Sequence, residues 1–258
     1  MGDDEVDGFV PTSLKDLTRD RWLNEMIGPL LHAQPDAWFV MVADAVAQTM
    51  IGGSCKIADL NRRRIALLES LERERFPFPG LDVIYVIQPE ASSVDKIIAD
   101  WDDDGEDPYN NIHIYFLSPC DKKLLDRIAN MRMCEKIVTC KEINIMFQPV
   151  DSHGFSLGMD PDHYATMFGR GMRPENVKNW KTLMVDSIVS ICTSLGEKPK
   201  NVRYWNAPPK SLVKDVAEAV RTAIDEQPLN LPASETTVLI LDRSFDMVPS
   251  PTQLTGSC

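Results

Sequence analysis

The chain has 258 residues, 43% of them hydrophobic, with 27 Lys and Arg set against 39 Asp and Glu for a formal net charge of −12. That length suits two ordinary domains, each with its own core. The acidic balance argues against general nucleic-acid binding, which draws mainly on Lys and Arg displacing counterions, and no apolar run approaches the length that spans a bilayer.

The opening MGDDEVDGFVP has neither the basic flank nor the apolar stretch of a secretory signal, and Val6 stands where a myristoylation motif requires Ser or Thr. Six cysteines, Cys55, Cys120, Cys134, Cys140, Cys192 and Cys258, are scattered without a CxxC pair, and only four histidines accompany them. This usage suits a reducing cytosol, and neither metal nor cofactor is expected.

In chain order, residues 14–31 read as a helix. Residues 38–42 (WFVMV), 81–87 (LDVIYVI) and 112–117 (IHIYFL) are short apolar runs of the kind buried on both faces of a sheet. Helical patterns alternate with them at 92–101 and at 121–131, the latter with Leu124, Leu125 and Ile128 on one stripe. Such alternation predicts parallel pairing through right-handed crossovers, hence an open, three-layer, Rossmann-like α/β domain over residues 1–149. Within it, NRRRIALLESLERERF at 61–76 reads as a solvated edge laced with salt bridges, or as a protein-docking surface in an otherwise acidic protein. Residues 151–171 read as connecting structure. A second α/β unit follows over 150–247: an amphipathic helix at 176–195 carrying Trp180, Leu183, Met184, Ile188 and Ile191, a strand at 202–205, a helix at 210–224 and a strand at 238–241. Two strands and two helices are too few for a closed layer, so this domain reads as incomplete.

Enzymatic readings find little support. Asp44 ends the first strand, where a phosphohydrolase would keep a catalytic carboxylate, but ADAVAQTM supplies neither a second acid nor a glycine-rich phosphate loop; Asp44 is expected to cap the following helix. GGSCK at 52–56 lacks the spacing of a phosphate cradle. His113, inside an apolar strand, reads as a core histidine. His153 and His163 lack partners at metal-ligand spacing. The run DWDDDGED at 100–107 does not continue as a calcium loop and reads as a solvated acidic loop.

Six stretches, in order and spacing, carry a resemblance: WFVMVAD, SCKIADL, FPFPGLDVIYVIQPEASSV, IHIYFLSPC, CKEINIMFQPVDSHGFSL and VLILDRSFDMVPSPTQLT. Together they resemble the amino-terminal part of the SM (Sec/Munc-like) syntaxin-binding proteins, in their plasma-membrane secretory branch, over about residues 14–255. The resemblance implies a protein that binds syntaxin-type SNAREs, with the assembled SNARE complex as a second partner, and regulates vesicle docking and fusion without catalysis. It implies a cytoplasmic location, peripheral to the plasma membrane through syntaxin. It assigns Lys56, Glu69 and Arg73 to contacts with closed syntaxin, while a further basic position of that surface falls on Thr49. It assigns Leu125, Ile137, Cys140 and Glu142 to a pocket for the amino-terminal peptide of syntaxin. It also implies that 150–247 is the first part of a second domain and 248–258 the start of a third, so that the chain is expected to be a truncated form. The alternative from another class is an α/β phosphohydrolase or nucleotide-binding enzyme.

Overall fold

The computed structural model describes residues 13–102, 106–157, 174–205, 212–226 and 232–241. By its contacts the chain divides between Met172 and Arg173 into two compact units.

The first unit begins with α1 (Leu14–Asp20), a π-helical stretch (Arg21–Ile27) and α2 (Gly28–Ala33). Ser13 caps the start, its hydroxyl accepting from the Asp16 amide at 3.1 Å. The predicted helix is therefore present but widened at its centre. Pro29, in the first turn of α2, has no amide to close an α-type bond, which accounts for the local change of pitch.

Five parallel strands follow, β1 (Phe39–Ala43), β2 (Ile65–Ser70), β3 (Asp82–Ile87), β4 (Ile112–Phe116) and β5 (Ile137–Glu142), in the spatial order β2-β1-β3-β4-β5. Between them run α3 (Ala45–Ser54), α4 (Ile57–Arg62), α5 (Ala91–Trp101) and α6 (Lys122–Ala129), with a 3₁₀ turn at Arg132–Lys136. The three central strands are buried at every position, which is why they read as unbroken apolar runs. On one face Val42, Tyr85, Ile114 and Phe116 pack against Val94, Ile97 and Trp101 of α5 and Ile128 of α6. On the other, Tyr115 donates its hydroxyl to the Met26 carbonyl at 3.1 Å, joining the sheet to the amino-terminal helices.

The charged segment at 61–76 is not simply a solvated edge. Its centre is β2, an edge strand paired in parallel with β1, with Ile65 buried and Leu67 exposed. The charges hid this strand because one side of an edge strand is wet and tolerates them. Arg64 turns the chain into it with a φ of 59° and lies over the Trp38 ring at 5.9 Å.

Beyond β5, β6 (Gln148–Pro149) and β7 (Phe155–Ser156) pair as a short antiparallel hairpin. The rings of Phe147 and Phe155 meet edge to face at 6.0 Å, and the Leu14 amide donates to the Ser152 carbonyl at 2.7 Å. Gly53 lets α3 approach the hairpin, since a Cβ there would lie 2.6 Å from Gln148 Cγ. These contacts tie the hairpin to the first unit, so the division by contacts falls later than the 149/150 boundary expected from sequence.

In the second unit, α7 (Pro174–Leu195), β8 (Lys198–Tyr204), α8 (Val213–Glu226) and β9 (Ala233–Ile240) follow in order, and β8 and β9 pair in parallel. Both strands begin earlier than their apolar residues indicate. The α7 stripe is rotated relative to the expected one: Val185, Val189 and Cys192 are buried, with Met184 and Ile188 beside them, against Val216, Val220 and Ile224 of α8. Leu239 and Leu241 are exposed. His163 and the expected third-domain start at 248–258 lie outside the described residues.

Candidate functional site

The edge formed by β5 and α6 holds a pocket of 380 Å³ lined by Phe116, Cys120, Leu125, Cys140, Lys141 and Glu142. Its geometry depends on an irregularity in the β4–β5 ladder. Ile137 pairs with Ile112, but Thr139 pairs with His113, so one extra residue is accommodated at Val138, which is exposed. Strict alternation would send Ile137 to the opposite face from Cys140 and Glu142; the bulge puts all three on the face that carries Ile114 and Phe116. On α6, capped by Asp121 through the Lys123 amide at 3.2 Å, Leu124 and Ile128 turn to the core while Leu125 remains 37% exposed at the pocket.

Three of the four residues expected to form this pocket, Leu125, Cys140 and Glu142, therefore line it together. Ile137 packs against the core of the sheet beneath it. Phe116, Cys120 and Lys141 were not singled out in the sequence. Phe116 read as part of a core strand and Cys120 as one of the scattered thiols, because only the fold brings the end of β4 beside the end of β5.

The electrostatics are simple. Glu142 Oε1 accepts the Cys120 backbone amide at 2.8 Å. Burial pushes the Cys120 thiol up to about 12, helped by Cys140, Glu142 and Asp121 nearby. Burial raises the Cys140 thiol as well, with Glu142 and Cys134 contributing. Both thiols are neutral at physiological pH and act as small apolar wall elements rather than nucleophiles. The pocket thus offers an apolar recess beside a carboxylate, suited to an aliphatic side chain next to a cation.

The other expected surface follows the opposite edge of the sheet. Lys56 is exposed just before α4, its backbone amide donating to Asp59 at 3.0 Å. Arg73 is exposed in the turn after β2. Glu69, near the end of β2, is half-buried: one carboxylate oxygen is buried without a hydrogen-bond partner, and burial raises its pKa against the opposing pull of Arg75. Lys56 and Arg73 lie on the entry and exit sides of β2, and Glu69 turns partly inward between them. Thr49 returns its hydroxyl to the Ala45 carbonyl at 3.0 Å.

Asp44 accepts from the amides of Ala47 at 2.8 Å and Gln88 at 2.7 Å and from the Ser93 hydroxyl at 3.0 Å. It is the helix cap expected from the sequence, and it also ties β1 to the start of α5. Burial raises its pKa, opposed by these three bonds. His113 is a core residue, also as expected. Its Nδ1 lies 3.0 Å from Thr139 Oγ1, its Nε2 lies 3.5 Å from Asp82, and burial lowers its pKa. Among the described residues no group of three His, Cys, Asp or Glu is placed to hold a metal ion, and no helix is long and apolar enough to cross a membrane.

Residues 39–252 match the Sec1 family. The chain belongs to this family. The resemblance to SM proteins read from the sequence is borne out. Relatives include Protein transport Sec1a of Arabidopsis thaliana, 31% identical over 246 residues, and the SNARE-interacting protein KEULE of the same plant, 29% identical over 258 residues. These alignments cover 91% and 92% of this chain but 36% and 37% of the relatives, so the chain spans little more than a third of their length. Among solved structures, the Unc18–syntaxin 1 complex from Monosiga brevicollis matches with a TM-score of 0.77 and 26% identity, over 92% of this chain and 41% of the other. Sly1p in complex with an N-terminal peptide of Sed5p shares the fold, with a TM-score of 0.72 at 20% identity over 91% of this chain and 42% of the other. The α/β architecture expected from sequence is thus that of Sec1-family proteins.

Proposed function

We propose that this chain recognises a syntaxin-type SNARE and serves vesicle docking and fusion, acting by protein contact without catalysis. The observation that carries the reading is the pocket between β5 and α6: Leu125 and Cys140 form an apolar wall beside the Glu142 carboxylate, in a chain of the Sec1 family. A leucine of a syntaxin amino-terminal peptide enters the recess and an arginine of the same peptide meets the carboxylate. The KEULE relationship and the likeness to an Unc18–syntaxin complex support the choice of partner. Lys56, Glu69 and Arg73 supply a second contact, to the closed helical bundle of syntaxin. The chain reaches the plasma membrane through that partner, and residues 150–247 correspond to the first part of a second SM domain. Catalysis at the strand tip is disfavoured because the Asp44 carboxylate is 4% exposed and is committed to three donors.

Calorimetric titration with a syntaxin amino-terminal peptide tests the reading. A charge-assisted hydrogen bond contributes about 1.5 to 3 kcal/mol, so Glu142→Lys is expected to weaken binding at least about tenfold. Equal affinity for the two proteins refutes the pocket assignment, and turnover of a nucleotide or phosphate ester by the purified chain refutes the non-catalytic reading.

A further inference from the structure

The residues that follow Glu142 are held from a distant part of the chain. Arg21, 7% exposed within the π-helical stretch, donates to the carbonyls of Ile143 and Asn144, the latter at 3.0 Å. The guanidinium is oriented from behind by Glu25, which accepts from Nε at 2.6 Å and from a terminal nitrogen at 3.1 Å. On the other side, the amides of Ile143 and Ile145 donate to the carbonyls of Phe116 at 2.8 Å and Leu117 at 3.0 Å. Asn144 adopts a φ of 52°, in the left-handed region that asparagine enters more readily than other non-glycine residues, and so turns the chain sharply just after β5. The segment leaving β5 is therefore clamped between the end of β4 and one arginine more than 120 positions earlier in the chain.

We propose that Arg21 is a positioning residue for the β5–α6 pocket: by holding the Ile143 and Asn144 carbonyls it fixes the end of β5, so that Glu142 presents its carboxylate to a cation on the bound peptide. The inference rests on the reading of the pocket as a peptide site. Two features make Arg21 suited to the task. Its planar fork engages two successive carbonyls at once, which a lysine ammonium cannot reproduce with the same constraint. The π-helical widening at Arg21 is also the kind of irregularity that re-aims side chains at functional sites. Glu142 is the last residue of β5, with one oxygen on the Cys120 amide. The clamp begins at the next residue, so loosening it lets the carboxylate drift from the direction that the Cys120 bond sets.

The test uses the full 258-residue chain as wild type, Arg21→Lys and Arg21→Met, with two probes: an unstructured peptide carrying an arginine and a leucine in the order found in a syntaxin amino terminus, and the same peptide with norleucine in place of arginine. Calorimetry is expected to show wild type losing about tenfold in affinity on the arginine-to-norleucine change, and both variants losing less than about threefold. A general loss of stability would weaken both peptides alike and leave their ratio unchanged. Hydrogen exchange gives the second readout: the Cys120 amide is expected to exchange faster in the variants while amides in β1 and β3 keep their protection. If Arg21→Met does not fold, Arg21→Lys carries the comparison alone. A tenfold ratio retained in the variants overturns the role of Arg21 while leaving the pocket in place. No discrimination by the wild type overturns both.

Discussion

Glu142 on β5 and Cys120 before α6 are joined by a 2.8 Å hydrogen bond from backbone amide to carboxylate, across 22 residues of sequence. The bond bridges the two elements that form the pocket, and it leaves the carboxylate at the surface. Binding and folding therefore depend on this residue to different extents. Glu142→Ala is expected to cost about 1 kcal/mol of stability or less, because water replaces the lost acceptor at an exposed site, while peptide affinity falls at least about tenfold. Urea titration and calorimetry on the same preparation measure the two effects separately.

Arg75 carries a larger structural load. Its side chain, 8% exposed, pairs with both oxygens of Asp100 and donates to the carbonyls of Ser70 and Arg73, each at 2.8 Å. Asp100 also accepts the Tyr85 hydroxyl at 2.9 Å, and Trp101 donates to Tyr85 at 3.2 Å. Arg75→Ala leaves a largely buried carboxylate without its cation and frees the turn after β2. It is expected to destabilise the first unit by about 3 kcal/mol, and protease cleavage within residues 71–81 should rise sharply.

His113 makes stability depend on pH. Burial pulls its pKa below the ordinary value of 6.5, against a smaller opposing pull from Asp82. Well above pH 6.5 it is neutral in both folded and unfolded chains, and its contribution is complete. As the pH falls, the unfolded chain takes up the proton first, and stability is lost until the folded pKa has been passed. Urea unfolding at pH 7.5 and 5.5 is expected to show a steeper loss for wild type than for His113→Gln, by no more than about 1.4 kcal/mol per pH unit. Parallel slopes for the two proteins would show that the ring does not titrate differently on folding.

The β6–β7 hairpin should stabilise the first unit when that unit is isolated. A fragment ending at 149 lacks the Phe155 ring that meets Phe147 and the Ser152 carbonyl that accepts from Leu14. A fragment ending at 157 keeps both and is expected to be more stable by about 1 to 3 kcal/mol. Identical denaturation midpoints would show that the hairpin contributes nothing to the core.

The central strands were legible because β1, β3 and β4 are covered on both faces, and such strands must be apolar at every position. Asp44 and His113 were legible as a cap and a core residue because their roles depend on immediate neighbours, a helix start and an apolar strand. The order of six short stretches sufficed for the family. The two edge strands were hidden: β2 carries charges that its wet side tolerates, and β5 has only a broken alternation. That break is the bulge at Val138, which decides whether Ile137, Cys140 and Glu142 face one side, and no local pattern encodes it. Phe116 and Cys120 enter the pocket because the end of β4 lies beside the end of β5, and Arg21 reaches Ile143 and Asn144 because the amino-terminal helices pack next to that edge. Residue periodicity reports which face of an element is buried; which distant backbone a buried arginine must satisfy is settled only when the elements pack.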